Sequence, residues 1–139
     1  MTDGIHSQLG DQMSDTIVVL DRSTVREGKL AELKRAMKEL ASFVDENEPR
    51  PFSYNVYLDD EQTEMTVLQV HPDAASMERH VRIAAREFPQ FAELVDLRVM
   101  EVFGEPTESL LELLRRKAEV LGNATVVVHR RHAGFARFG

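Results

Sequence analysis

Five histidines and two tyrosines are the side chains of this sequence best suited to moving a proton. His80 is singled out by its spacing, lying three residues after Met77 and four before Ala84, on the flank of an apolar helical stripe. Its imidazole is therefore expected to point into the space between a helix and the sheet that helix covers. An imidazole ionises near pH ~6.5 and can accept a hydroxyl proton at neutral pH, which gives His80 a general-base role. The other role open to a histidine there is structural, hydrogen-bonded to the sheet. Tyr54 and Tyr57 are separated by an odd number of residues, so on one strand they face opposite ways and only one can line a helix-side pocket. Asn55 shares the face of Tyr57, and Tyr57 or Asn55 is expected to orient a substrate oxygen, with Tyr54 and His71 as further binding residues. His71 precedes Pro72 and can join His80. Two histidines with no assured carboxylate make a thin ligand set, and no metal site is expected. His129 and His132 with Arg130, Arg131 and Arg137 form a small basic end, suited to an anionic ligand or simply to solvent.

Other chemistries are excluded by what is missing. With no cysteine there is no disulfide, thiol nucleophile or thiolate metal site. The seven glycines assemble neither GxGxxG nor GxxxxGK, and no GxSxG occurs. A formal charge of -7 argues against a nucleic-acid platform. No apolar run approaches the ~20 residues of a membrane span, and Met1 to Asp15 lacks the plan of a signal peptide. A cytoplasmic protein of one main domain is expected.

The elements that must hold these residues follow from periodicity. Residues 1–14 read as a flexible arm. The β-branched run from Thr16 to Leu20 predicts a strand, and Thr24-Val25-Arg26-Glu27 has capping-box spacing for a helix carrying Leu30, Leu33, Met37, Leu40 and Val44 on one face. Pro49 and Pro51 end it. Residues 52–58 and 65–71 read as a hairpin turning at Asp59-Asp60-Glu61-Gln62, and Asp73 caps a second helix that Pro89 interrupts. A strand from Leu97 to Phe103 completes residues 15–105 as a ferredoxin-like βαββαβ plan, an antiparallel sheet with two helices on one face. Residues 106–139 add a helix from Thr107 to Leu121 (capping spacing Ser109 to Glu112, stop at Gly122-Asn123), a strand Thr125 to His129, and the basic tail.

The first, third and fourth strands are apolar on both faces: Val18 and Leu20 alternate with Ile17 and Val19, and Leu68 and Val70 with Met65 and Val67. Two helices cover one face only, so a partner is expected on the other. The predicted partner is a second copy packed sheet to sheet, with the C-terminal helix and strand clasping it. A monomer results if that helix folds back under its own sheet.

The hairpin Ser53-Tyr54-Asn55-Val56-Tyr57-Leu58, its return Met65-Thr66-Val67-Leu68-Gln69-Val70, and the segment His71-Pro72-Asp73-Ala74-Ala75-Ser76-Met77-Glu78-Arg79-His80 together resemble the antibiotic-biosynthesis monooxygenase-like proteins of the dimeric α+β barrel superfamily. The resemblance spans about two thirds of the chain, from Thr16 to Glu105. It implies a homodimer and a pocket between helices and sheet. It further implies oxidation of a small aromatic quinol or polyketide-like phenol without cofactor, with His80 taking the phenolic proton. The other outcome it allows is a non-catalytic small-molecule-binding or assembly module. Gln69 stands where the family often has a glutamate, and the absence of tryptophan departs from the heme-degrading relatives.

Overall fold

A computed structural model describes residues 15–137 of the chain; the predicted N-terminal arm lies outside the described residues. The elements are β1 (Ile17–Val25), α1 (Leu30–Asn47), β2 (Ser53–Leu58), β3 (Glu64–His71), α2 (Ala74–Ala84), α3 (Phe88–Ala92), β4 (Val95–Phe103), α4 (Glu108–Leu121) and β5 (Thr125–His129), with one 3₁₀ turn at Ala85–Glu87. The five strands form one sheet in the order β2-β3-β1-β4-β5. Every pairing is antiparallel except β4 with β5. This is the ferredoxin-like α+β plan with one added helix and one added strand.

Period-two alternation decides which side chains face the helices. Ile17, Val19, Asp21 and Ser23 of β1 and Met65, Val67, Gln69 and His71 of β3 are buried on the inner face. Tyr54, Val56 and Leu58 of β2 pair with Gln69, Val67 and Met65 and extend that face. On β4 a bulge shifts the register at Arg22/Ser23. Leu97 and Met100 consequently both point inward, although their odd spacing predicts opposite faces.

Two predicted helix starts are corrected. Thr24 is a sheet residue, paired with Glu64 and Asp96, because β1 runs on to Val25. Helix α1 begins at Leu30 with Lys29 at its cap and no side-chain capping bond. The cap of α4 is Thr107, which accepts from the Leu110 amide at 3.1 Å, in place of the Ser109–Glu112 pair. Asp73 caps α2 as expected, accepting from the Ser76 amide at 2.9 Å. As expected, the helical run is interrupted ahead of Pro89: α2 ends at Ala84, a 3₁₀ turn follows, and Pro89 sits in the first turn of the short α3, where its missing N–H costs nothing.

The C-terminal helix takes neither predicted place. Helix α4 lies beside α2 and α3 on the already covered face, over β4 and β5. Its buried Leu110, Leu114, Ala118 and Leu121 join the single core that also holds Met77, Leu97 and Met100. Helices α1 to α4 thus share one face. The opposite face presents half-buried Val18, Leu20, Leu68, Val70, Val99 and Phe103, with no helix among the described residues over it.

Candidate active site

A chain of polar side chains runs through the apolar layer between helices and sheet. His80 projects from α2 and is 2% exposed, against Glu48, which is 6% exposed. Glu48 follows the last turn of α1 in extended backbone, its amide bonded to the Val44 carbonyl at 2.9 Å. Four residues beyond Val44, it prolongs the inward stripe of α1 by one position. The His80 Nδ1–H donates to both Glu48 carboxylate oxygens at 3.1 Å. This fixes the ring and its tautomer, leaving Nε2 as the lone-pair nitrogen; no hydrogen bond among the described residues engages it. A carboxylate behind one ring nitrogen also stabilises the imidazolium that forms when the other takes a proton.

Tyr54 stacks at a tilt on His80, ring centroids 5.3 Å apart. Burial, and then the carboxylates of Asp21 and Glu48, push its phenol above the usual tyrosine range, so Tyr54 stays protonated. His71 is fully buried, 6.0 Å from His80 between ring centroids. Its Nε2–H donates to Gln69 Oε1 at 2.9 Å, and its Nδ1 accepts from the Ser76 hydroxyl at 2.7 Å. Burial and the neighbouring His80 lower its pKa to about 4, against a smaller opposing effect of Asp73. His71 is therefore neutral at neutral pH and acts as a fixed wall beside His80.

The second polar pair is Asp21 with Lys117, Nζ to Oδ2 2.6 Å, both side chains at most one tenth exposed. Lys117 also stands 5.6 Å from the centre of the Phe88 ring. Asp21 Oδ1 is buried with no hydrogen-bond partner among the described residues. Asp21, Ser23, Tyr54, His80 and Lys117 line an inner cavity of about 50 Å³ whose remaining wall is apolar. Outside it, a cleft of about 280 Å³ opens between α1 and the α2–α3 segment, with Glu48 in its lining and Glu39, Arg86 and Glu87 around it. Cavity and cleft share Leu40, Ala84 and Phe91. A benzene-sized ring needs roughly 150 Å³. The inner cavity thus accepts a substituent or a diatomic molecule, and a ring belongs in the cleft.

Of the residues chosen from sequence, the fold brings together His80, Tyr54 and His71. It separates Tyr57 and Asn55, whose expected place beside His80 is corrected. Tyr57 is 49% exposed. Tyr57 and Asn55 pair with Thr66 and Leu68 on the opposite face, because Tyr54 occupies the inward phase of β2. His129 lies on that same outer side, 3.2 Å from Glu101 and stacked on Phe103, away from the cavity. Among the described residues no group of three or more His, Asp or Glu is arranged to hold a metal ion. Sequence reasoning missed Glu48, Asp21 and Lys117. Each is a charged residue at a position that periodicity assigns to the interior.

No protein-family model and no curated protein matches the chain. Solved structures do. MupZ from Pseudomonas fluorescens superposes with a TM-score of 0.68 at 18% identity, covering 88% of this chain and 94% of its own. SnoaB, a cofactor-independent oxygenase from Streptomyces nogalater, gives 0.56 at 17%, covering 67% and 95%. A Bacteroides thetaiotaomicron protein provisionally named an antibiotic biosynthesis monooxygenase gives 0.55 at 16%, covering 68% and 90%. The chain therefore has the fold of the antibiotic-biosynthesis monooxygenase-like proteins. Residues 15–105 make up about two thirds of the chain, so the MupZ match, at 88% of it, extends into the α4–β5 segment.

Proposed function

We propose that this protein is a cofactor-independent monooxygenase acting on a small aromatic quinol. The observation that carries the reading is the buried His80–Glu48 pair: His80 lines a cavity that shares Leu40, Ala84 and Phe91 with a neighbouring cleft wide enough for a ring. The likeness to SnoaB supports the chemistry. In this reading His80 Nε2 takes a phenolic proton, Glu48 stabilises the resulting imidazolium, and Tyr54 donates a hydrogen bond to a ligand oxygen. The phenolate is electron-rich enough to reduce dioxygen directly. Quinol and dioxygen yield hydroxyquinone and water: one oxygen atom enters the ring, the other leaves as water, and the quinol supplies all four electrons. The electron source is the substrate itself, so the balance closes without flavin or metal.

The functional unit in this reading is a homodimer joined through the outer sheet face, where Leu20, Leu68, Val70 and Phe103 offer apolar surface that no helix among the described residues covers. Sedimentation should report twice the chain mass, and Leu68→Lys should halve it; a wild-type protein sedimenting as a monomer at high concentration removes the dimer. For the chemistry, oxygen uptake is followed with a panel of hydroquinones, comparing wild type with His80→Ala. Uptake that His80→Ala abolishes supports the reading. Uptake absent across the panel, or undiminished in the variant, overturns it, and saturable binding without uptake favours a binding module.

A further inference from the structure

We infer that the Asp21–Lys117 pair is a specificity site that receives a second hydroxyl of the ligand, so that the preferred ligand is a ring-sized, otherwise apolar molecule with hydroxyls on opposite edges. The inference rests on the reading of His80 as the group that receives the first hydroxyl. Its physical basis is an imbalance within the pair. Lys117 Nζ satisfies Oδ2 of Asp21 at 2.6 Å, whereas Oδ1 is buried without a partner among the described residues. Native proteins seldom leave a buried carboxylate oxygen in that condition, because its lost hydration is not returned by the structure. Here the unpaired oxygen belongs to a residue that lines the inner cavity with Ser23 and Lys117.

The chemistry of the pair restricts what fits. A ligand carboxylate would meet the charge of Asp21, and an ammonium would meet that of Lys117. An ether oxygen offers no proton to Oδ1. A hydroxyl suits both partners, donating to Asp21 Oδ1 while its own oxygen accepts one of the remaining Lys117 N–H groups. The dimensions agree, since about 50 Å³ admits a hydroxyl-bearing edge but not a whole ring. The position agrees as well. Tyr54 and His80 line the same cavity as Asp21 and Lys117, and the Tyr54 ring stands 5.3 Å from that of His80. A ring at the junction of cleft and cavity can thus present one hydroxyl to His80 and the other to Asp21. Lys117 comes from α4, outside the βαββαβ core, so the added helix would supply selectivity to a site whose base comes from the core.

The test is anaerobic calorimetry with 1,4-dihydroxynaphthalene and its monomethyl ether, 4-methoxy-1-naphthol, on the full chain. Wild type should bind the diol about tenfold or more tightly than the ether, as expected for a hydrogen bond to a charged acceptor. His80→Gln should keep that preference while losing oxygen uptake. The double variant Asp21→Leu/Lys117→Met, which replaces the ion pair with apolar groups of similar volume and so preserves the fold, should lose it. Asp21→Asn, which keeps the shape, should weaken it and serves as the second variant if the double one does not fold. Equal affinities in wild type, no binding of either compound, or a preference that survives in the double variant overturns the inference. A diol preference without oxygen uptake leaves the specificity site standing and removes the oxygenase reading; uptake that depends on His80 without a diol preference does the reverse.

Discussion

The burial of His71 makes the stability of this protein sensitive to mild acid, by an amount that can be worked out. Its pKa falls from 6.5 to about 4 on folding, chiefly because an imidazolium at that position would be stripped of water and would face His80. The folded state therefore resists protonation while the unfolded chain accepts it. The stabilisation is fully present above pH ~6.5 and is lost as pH falls toward 4. The whole shift corresponds to about 3 kcal/mol at 1.36 kcal/mol per pH unit, and about 2 kcal/mol of it is gone by pH 5. Against a typical total of ~5–15 kcal/mol this is a large fraction. The assay is urea unfolding followed by far-UV circular dichroism between pH 7.5 and 5, in wild type and in His71→Gln. Glutamine can keep bonds to Ser76 and Gln69 but does not titrate. Every other ionisable group is common to both proteins, so wild type should lose about 2 kcal/mol more than the variant over this range. Parallel curves, or a wild type that gains on the variant in acid, would refute the claim that His71 is held neutral by burial.

Three further outcomes are expected. Glu48→Gln, which keeps a hydrogen bond to His80 but removes the charge behind it, should lower turnover by about 10²- to 10⁴-fold with circular dichroism unchanged; undiminished oxygen uptake removes Glu48 from the mechanism. In a Tyr57→Phe protein the remaining Tyr54 should stay un-ionised well above the ordinary tyrosine range, appearing in an ultraviolet titration only when the fold is lost; early ionisation would mean that its ring is not buried against Asp21 and Glu48. Gly122→Ala should destabilise the protein by roughly 1–3 kcal/mol in thermal unfolding, because a Cβ there would stand 2.6 Å from the Leu97 amide nitrogen at the end of α4. A neutral result would show that this end of α4 can shift without cost.

The fold was legible where sequence periodicity coincided with burial. The stripe Leu33, Met37, Leu40 and Val44 predicts α1 because that helix buries one face and solvates the rest. Boundaries were lost where a local signal competed with pairing. Thr24-Val25-Arg26-Glu27 has the residues of a capping box, yet Thr24 is held by Glu64 on one side and Asp96 on the other. Two ladders of hydrogen bonds outweigh one cap. The bulge at Arg98 was invisible for a related reason: it is set by how β4 meets β1, and no residue of β4 announces it. The position of α4 depends on the same kind of non-local fact. Its leucines cover a wide arc because the helix touches both α2 and the sheet, an arrangement that a helical wheel cannot distinguish from contact with a second chain.

The site was half legible, and the missing half obeys the rule that found the rest. His80 was chosen because a polar residue stood on an inward stripe. The same test, carried one step further along each element, selects Glu48 after Val44 on α1, Asp21 after Ile17 and Val19 on β1, and Lys117 between Leu114 and Leu121 on α4. Taken singly, each looks like the solvated end of an apolar element, since charged side chains are seldom fully buried unless paired. What sequence cannot supply is the pairing itself. Glu48 is compatible with the interior only because His80, 32 positions later, meets it, and Asp21 because Lys117, 96 positions later, does. Two unrelated polar intrusions into one apolar layer each cost desolvation, and a hydrophobic substitute for either pair would cost the fold little. Their convergence on one cavity, with Asp21 Oδ1 unpartnered and His80 Nε2 in no hydrogen bond among the described residues, is therefore poorly explained by stability and well explained by a ligand that meets the two residues together.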